Sequence, residues 1–252
     1  PNVRFIKNGT ILPSSNNLKI NFEASNLRAV DVKVYKIHAN NILQFLQDNE
    51  LNGSRNLRKV ATPVATTTIS LTENKLQNYS KWNAYALDLA SIISVEQGAI
   101  YRVELSFKKA YSLYKCDEVV ADENQEYYDE YYANRDNYEV RSSDGYDYYD
   151  YYWYEDYEWQ DSQDACTESY FRRGSVTTNV LATNLGVIAK RGDNGTYFIA
   201  VSDIVSTQGV AGASVELYDY QQQKLAVTTT DSEGNATLET AKYAFFAVVK
   251  KG

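Results

Sequence analysis

Val30-Asp31-Val32-Lys33-Val34-Tyr35 alternates valine with polar or amphipathic residues. In an extended chain successive side chains point to opposite faces, so the three valines share one face and Asp31, Lys33 and Tyr35 the other. A strand written this way is half buried, with its apolar face on a core. The same period of two recurs on both sides of this stretch. Leu18, Ile20 and Phe22 alternate with Lys19, Asn21 and Glu23, and Tyr101, Val103, Leu105 and Phe107 with Arg102, Glu104, Ser106 and Lys108. Residues 66–71 and 84–89 are further strand candidates, and Asn8-Gly9, Leu12-Pro13 and Gln97-Gly98 punctuate the series as turns. One segment departs from the pattern: in residues 40–51, Ile42, Phe45 and Leu46 fall at i, i+3 and i+4, one face of a short helix with Asn40 or Asn41 as its N-cap. This helix is expected to close one end of a first sandwich.

After Arg173 the spacing of strand and turn signals shortens. Strands are expected near 180–189, 196–201, 214–220, 224–230, 236–240 and 243–250. Gly195, Gly209, Gly212 and Asp231-Ser232-Glu233-Gly234 separate them. Short strands with a turn every eight to twelve residues read as an all-β sandwich. The fold class is therefore all-β, with two β-sandwich domains in series: residues 1–175, interrupted by an insertion at 117–165, and residues 176–252.

The chain has 252 residues, a length that suits two domains, and 44% hydrophobic residues, enough for two cores. No run of about 20 apolar residues exists to span a bilayer as a helix. The sequence begins at Pro1 without Met or a signal peptide, which reads as a processed or excised piece of an exported protein. The net charge of −8 hides a division. The 49 residues between Cys116 and Cys166 hold 17 acidic and 2 basic residues, a net −15, which leaves +7 on the other 203. Phosphate backbones need a dominant basic face, so nucleic acid is not expected as a partner.

Two sets of residues carry a family resemblance. The first is Asn26-Leu27-Arg28-Ala29-Val30-Asp31-Val32-Lys33-Val34-Tyr35-Lys36-Ile37, then Asn40-Asn41-Ile42-Leu43-Gln44-Phe45-Leu46, Leu87-Asp88-Leu89 and Gly98-Ala99-Ile100-Tyr101-Arg102-Val103. The second is Asn184-Leu185-Gly186-Val187-Ile188-Ala189-Lys190, then Val201-Ser202-Asp203-Ile204, Gly212-Ala213-Ser214-Val215-Glu216-Leu217-Tyr218-Asp219 and Thr230-Asp231-Ser232-Glu233-Gly234-Asn235-Ala236. Together they resemble consecutive N-terminal macroglobulin-like (Ig/fibronectin-like) domains of bacterial alpha-2-macroglobulins, and the long insertion resembles the Bacteroidetes branch. The resemblance implies a structural and interaction segment of a protease-trapping inhibitor at the cell envelope. Its partners would be the other domains of its own longer chain and, through the parent, target proteases. Any membrane attachment would be through an anchor elsewhere in the parent. No Cys-x-Glu-Gln thioester motif is present, since the two cysteines stand in Lys115-Cys116-Asp117 and Ala165-Cys166-Thr167.

Chemistry is sparse. His38 is the single histidine, so no multi-histidine metal site can form; a triad would need His38 to face a nucleophile, and a surface or loop histidine is expected instead. The carboxylates cluster in one repetitive insertion, a poor frame for the fixed separation that an acid–base pair needs. No catalytic residue, cofactor or metal is expected, although a calcium site among the carboxylates stays open. In an exported chain Cys116 and Cys166 most simply pair, closing the insertion at its neck; two free thiols are the alternative. Within the insertion, 12 tyrosines join Trp153 and Trp159. Tyr148, Tyr149, Tyr151, Tyr152, Trp153 and Trp159 are the candidate partner-binding residues, because rigid aromatics among acids suit a contact surface on a basic envelope protein or on the parent itself. The competing reading is a solvated acidic loop. A different role altogether, an adhesin or accessory subunit of an outer-membrane complex, would use the same loop.

Overall fold

The computed structural model describes residues 1–6, 9–14, 18–73, 78–116, 161–171 and 175–251. Strands β1 (Asn2–Phe5), β3 (Lys19–Ser25) and β6 (Asn83–Asp88) form an antiparallel sheet in the order β1-β3-β6. Facing it is a five-stranded sheet. It is built from β2 (Ile11–Leu12), β4 (Ala29–Ile37), β5 (Ala61–Ser70), β7 (Ile100–Ser106) and β8 (Ser175–Ala182), in the order β2-β8-β7-β4-β5. The alternating residues behave as their spacing requires. Ile20 and Phe22 from one sheet meet Val30, Val32, Val34, Val103 and Leu105 from the other in one buried cluster.

Tyr35 and Ile37 lie on the opposite face of β4 from the three valines, yet both are buried. The cause is α1 (Ile42–Asp48), which lies against the outer face of the five-stranded sheet and packs Phe45 on Tyr35, Ile37, Val60, Ala61 and Ile100. The helix therefore roofs the sheet near one end; it does not plug the gap between the sheets. Asn41 is its N-cap position but makes no side-chain cap bond. At the other end Asn49 Nδ2 donates to Phe45 O at 2.9 Å, satisfying a carbonyl of the last turn.

Strand β5 begins five residues earlier than the sequence reading placed it. It is an edge strand, so the missing N–H of Pro63 costs no ladder bond there. The register against β4 also shifts between Val34 and Tyr35, leaving Val64 as a bulge residue.

The second sandwich consists of β9 (Leu185–Arg191), β10 (Thr196–Asp203), β11 (Ser214–Tyr218), β12 (Lys224–Thr229), β13 (Asn235–Glu239) and β14 (Phe246–Lys250). Its sheets have the orders β13-β10-β9 and β12-β11-β14, with Ile199, Val201, Val215, Leu217 and Leu238 between them. Gly234 closes the turn between β12 and β13 at φ +85°, where a Cβ would stand 2.3 Å from Val201 O. Set side by side, the two sandwiches use their strands alike. β9-β10-β13 repeats β1-β3-β6, and β12-β11-β14 repeats β5-β4-β7, to which the first sandwich adds β8 and β2.

The expected boundary at 175/176 and the expected single strand over 180–189 are both modified. Strand β8 bonds along β7 from Ser106↔Ser175 to Ile100↔Leu181, and Val180 and Ala182 lie in the first core. Leu185 packs on the second core. The single expected strand is thus two strands divided between two sandwiches, with only Thr183 and Asn184 between them.

Candidate functional site at the neck of the acidic insertion

The insertion leaves the first sandwich between β7 and β8. Strand β8 ends at the junction with the second sandwich, and eight residues of strand separate that end from Ser175. At about 3.3 Å per residue the neck lies roughly 25 Å away, at the opposite pole.

Each side of the neck is fastened separately. On the outgoing side, Leu27 and Ser112 form an isolated antiparallel bridge, and Leu113 N donates to Asn26 O at 2.8 Å. Arg28 N donates to Tyr111 O at 2.9 Å, and the Arg28 guanidinium donates to Ala110 O, with Nε at 3.0 Å. Tyr111 OH donates to Asp31 Oδ1 at 2.8 Å, an acceptor that also takes Thr68 Oγ1 at 2.6 Å. On the returning side, Thr167 N donates to Asp164 O at 3.1 Å and Cys166 N to Asp164 Oδ1 at 2.9 Å, a tight turn that leads into α2 (Glu168–Phe171). Phe171 meets Phe107 edge-on at 5.8 Å between centroids, and Tyr170 stands 6.4 Å from the same ring. Burial raises the Tyr170 phenol above its ordinary pKa, and its hydroxyl donates to Pro1 O. Lys109 and Glu168 join the two sides as an ion pair at 3.1 Å.

Cys116 and Cys166 are bonded to each other across this neck, with an S–S length of 2.02 Å and Cα atoms 5.7 Å apart. The geometry is that of an ordinary disulfide. The six aromatic candidates, Tyr148, Tyr149, Tyr151, Tyr152, Trp153 and Trp159, lie outside the described residues. What the structure adds is the platform beneath them. Arg28, Asp31, Tyr111, Tyr170 and Phe171 build that platform, and none was singled out by sequence. For Tyr111, Tyr170 and Phe171 the signal was aromatic density just outside each cysteine; Arg28 and Asp31 carried none.

Elsewhere the chemistry stays sparse. His38 Nε2 lies 3.2 Å from Thr62 Oγ1 on the surface. No group of metal-ligating side chains is assembled among the described residues. A cavity of about 210 Å³ lies between β1, β2 and β8, lined by Phe5, Leu12, Ile20, Asn52, Thr177 and Val180, with no titratable side chain among the described residues of its wall. Among the described residues the most perturbed carboxylate is Glu216, on the outer face of β11. It accepts from Lys224 Nζ at 2.6 Å, Tyr218 OH at 2.7 Å and Lys250 Nζ at 3.2 Å. These bonds, that from Lys224 first, hold it at about 2, below the ordinary 4.5. A carboxylate kept ionised by two lysines cross-braces three strands and is a poor proton donor.

Comparison with known proteins bears on the same reading. Residues 182–251 match the family model described as the bacterial alpha-2-macroglobulin MG3 domain. No curated protein matches the sequence. The fold is similar to the crystal structure of native alpha-2-macroglobulin from Escherichia coli spanning domains NIE-MG1. The TM-score is 0.60 at 17% identity, over 100% of this chain and 93% of that one. It is similar also to the trypsin-activated E. coli protein, with a TM-score of 0.56 at 18% identity, covering 100% of this chain and 13% of that one. The cryo-EM reconstruction of the native conformation gives 0.54 at 17% identity over 12% of its chain. The chain thus spans nearly all of the two-domain structure but about an eighth of the longer ones. At these identities the likeness establishes the macroglobulin-like fold of the whole chain.

Proposed function

We propose that this chain is a non-catalytic structural and interaction segment of a bacterial alpha-2-macroglobulin-like protein. The observation that carries the reading is the family match over the second sandwich, combined with a macroglobulin-like fold along the entire chain. The parent is a protease-trapping inhibitor of the Bacteroidetes type, exported and held at the outer membrane, cell surface or periplasm of a Gram-negative cell. Among the described residues no helix is long and apolar enough to cross a membrane. The units are residues 1–182, carrying the insertion, and 183–252. Their partners are the neighbouring domains of the longer chain and, through the parent, target proteases.

The purified chain alone neither hydrolyses substrates nor inhibits proteases, whereas the parent blocks digestion of large substrates. Stoichiometric inhibition of trypsin by residues 1–252 alone would sink this assignment.

A second reading has one observation in its favour. The described neck of the acidic insertion lies at the pole of the first sandwich away from the second. That placement suits an adhesin or accessory subunit docking through Tyr148, Tyr149, Tyr151, Tyr152, Trp153 and Trp159 onto a basic envelope protein. Under this reading the parent retains protease inhibition after loss of the insertion but loses assembly with its envelope partner.

A further inference from the structure

The buried clusters do not cross the junction: two contain residues up to Ala182 and the third only residues from Leu185 onward. Two sandwiches joined by two residues and no shared apolar core are expected to move relative to each other unless something else holds them. Among the described residues, polar contacts span the junction at two places. Thr183 N donates to Leu12 O at 3.0 Å, and Ser14 Oγ donates to Asn184 Oδ1 at 3.3 Å, so the segment around β2 straps the connector. Farther out, Gln47 on α1 donates through Nε2 to Tyr220 O at 2.5 Å and accepts at Oε1 from Gln222 Nε2 at 2.9 Å. One glutamine side chain on the first sandwich thus grips the β11–β12 turn of the second at two points.

That turn is built to receive it. Gln222 has φ +62°, a left-handed conformation that an ordinary side chain adopts at a cost of about 1 kcal/mol and that glycine adopts freely. Gln222 N bonds Asp219 O at 3.0 Å, and Asp219 Oδ1 takes Gln223 N at 2.8 Å, so the conformation is fixed locally. A glutamine where glycine would relax the turn makes sense if its amide has work to do across the junction.

We propose that Thr183–Asn184 is a bending joint and that the Gln47–Tyr220–Gln222 clasp locks it at one angle. α1 and its flanking loops, inserted between β4 and β5, serve as the arm that carries the lock. Releasing the clasp leaves both cores intact and frees the angle, so the joint has a locked and an open state separated by a few side-chain hydrogen bonds.

The test measures the distance between spin labels at Thr66→Cys on β5 and Thr237→Cys on β13, both exposed, with the native disulfide kept oxidised. The otherwise unaltered chain gives one narrow distance distribution. Gln47→Ala raises the open fraction about tenfold, the factor carried by two net hydrogen bonds of ordinary strength. Gln222→Gly separates locking from folding: it broadens the distribution while the melting temperature of the second sandwich holds or rises. A distribution unchanged by both substitutions, or one already broad in the unaltered chain, overturns the proposal. So does a broadening that appears only together with loss of the second sandwich's folded signal.

Discussion

Asn179 is 1% exposed and uses both ends of its amide. Its Nδ2 donates to Leu51 O at 2.9 Å and Gly53 O at 2.7 Å, and its Oδ1 accepts from Arg102 Nη1 at 3.2 Å. Its own backbone N donates to Asn52 Oδ1 at 2.9 Å, so one strand residue pins the loop that follows α1. Asn179→Ala removes a buried amide and strips partners from two half-buried carbonyls, and is expected to cost about 1–2 kcal/mol, read as a lower urea midpoint for the first sandwich. Glu216 gives a pH-dependent counterpart. Its folded pKa is depressed, from 4.5 to about 2, so the stability it contributes is present above pH 4.5 and is lost as pH falls through about 2. Glu216→Gln should flatten the acid limb of the second sandwich's stability curve over that window. At neutral pH it should cost about 1 kcal/mol, because the lysine heads are exposed. Neither role is legible in the sequence. Asn179 and Glu216 each read as the polar member of an alternating strand, and what closes over them comes from elsewhere, a loop in one case and two neighbouring strands in the other.

Elements fared better, because each carries its own period. Strands β3, β4, β7 and β10 stand where alternation placed them, and the helix over Ile42, Phe45 and Leu46 formed. What alternation could not convey is which surface an element finds. Ile37 continues a strand as an outward residue, and nothing local announces that α1 will cover it. Phe45→Ala should therefore cost about 3–4 kcal/mol and be felt at Ile37 and Ile100, measurable as faster amide exchange at that end of β4 and β7. The sequence reads as one strand across β8 and β9 because no glycine or proline separates Ala182 from Leu185; the inward phase slips by one residue at Thr183-Asn184, and the change of core there is a tertiary event. At the neck, replacing both Cys116 and Cys166 by serine should lower the first sandwich's stability by up to about 4 kcal/mol, the chain-entropy contribution of a closed loop of this length. The second sandwich should melt as before.

At the scale of the molecule, the two cores are separate and the insertion is fastened at a pole remote from the second sandwich. Deleting 120–162 while keeping both cysteines is expected to leave both melting transitions in place, as followed by calorimetry. Loss of either transition would mean that the insertion takes part in a core. The paired cysteines also decide what happens when the chain is cut. Any single hydrolysis between them adds one water and creates a new amino and a new carboxyl end, yet the two pieces stay in one particle, because each is fastened to the sandwich and the sulfur bridge joins them. Such a nick is silent on a gel without reductant and becomes two bands with it. The protein can thus carry a lasting record of having met a protease, one water heavier, while its two pieces stay joined in any larger assembly.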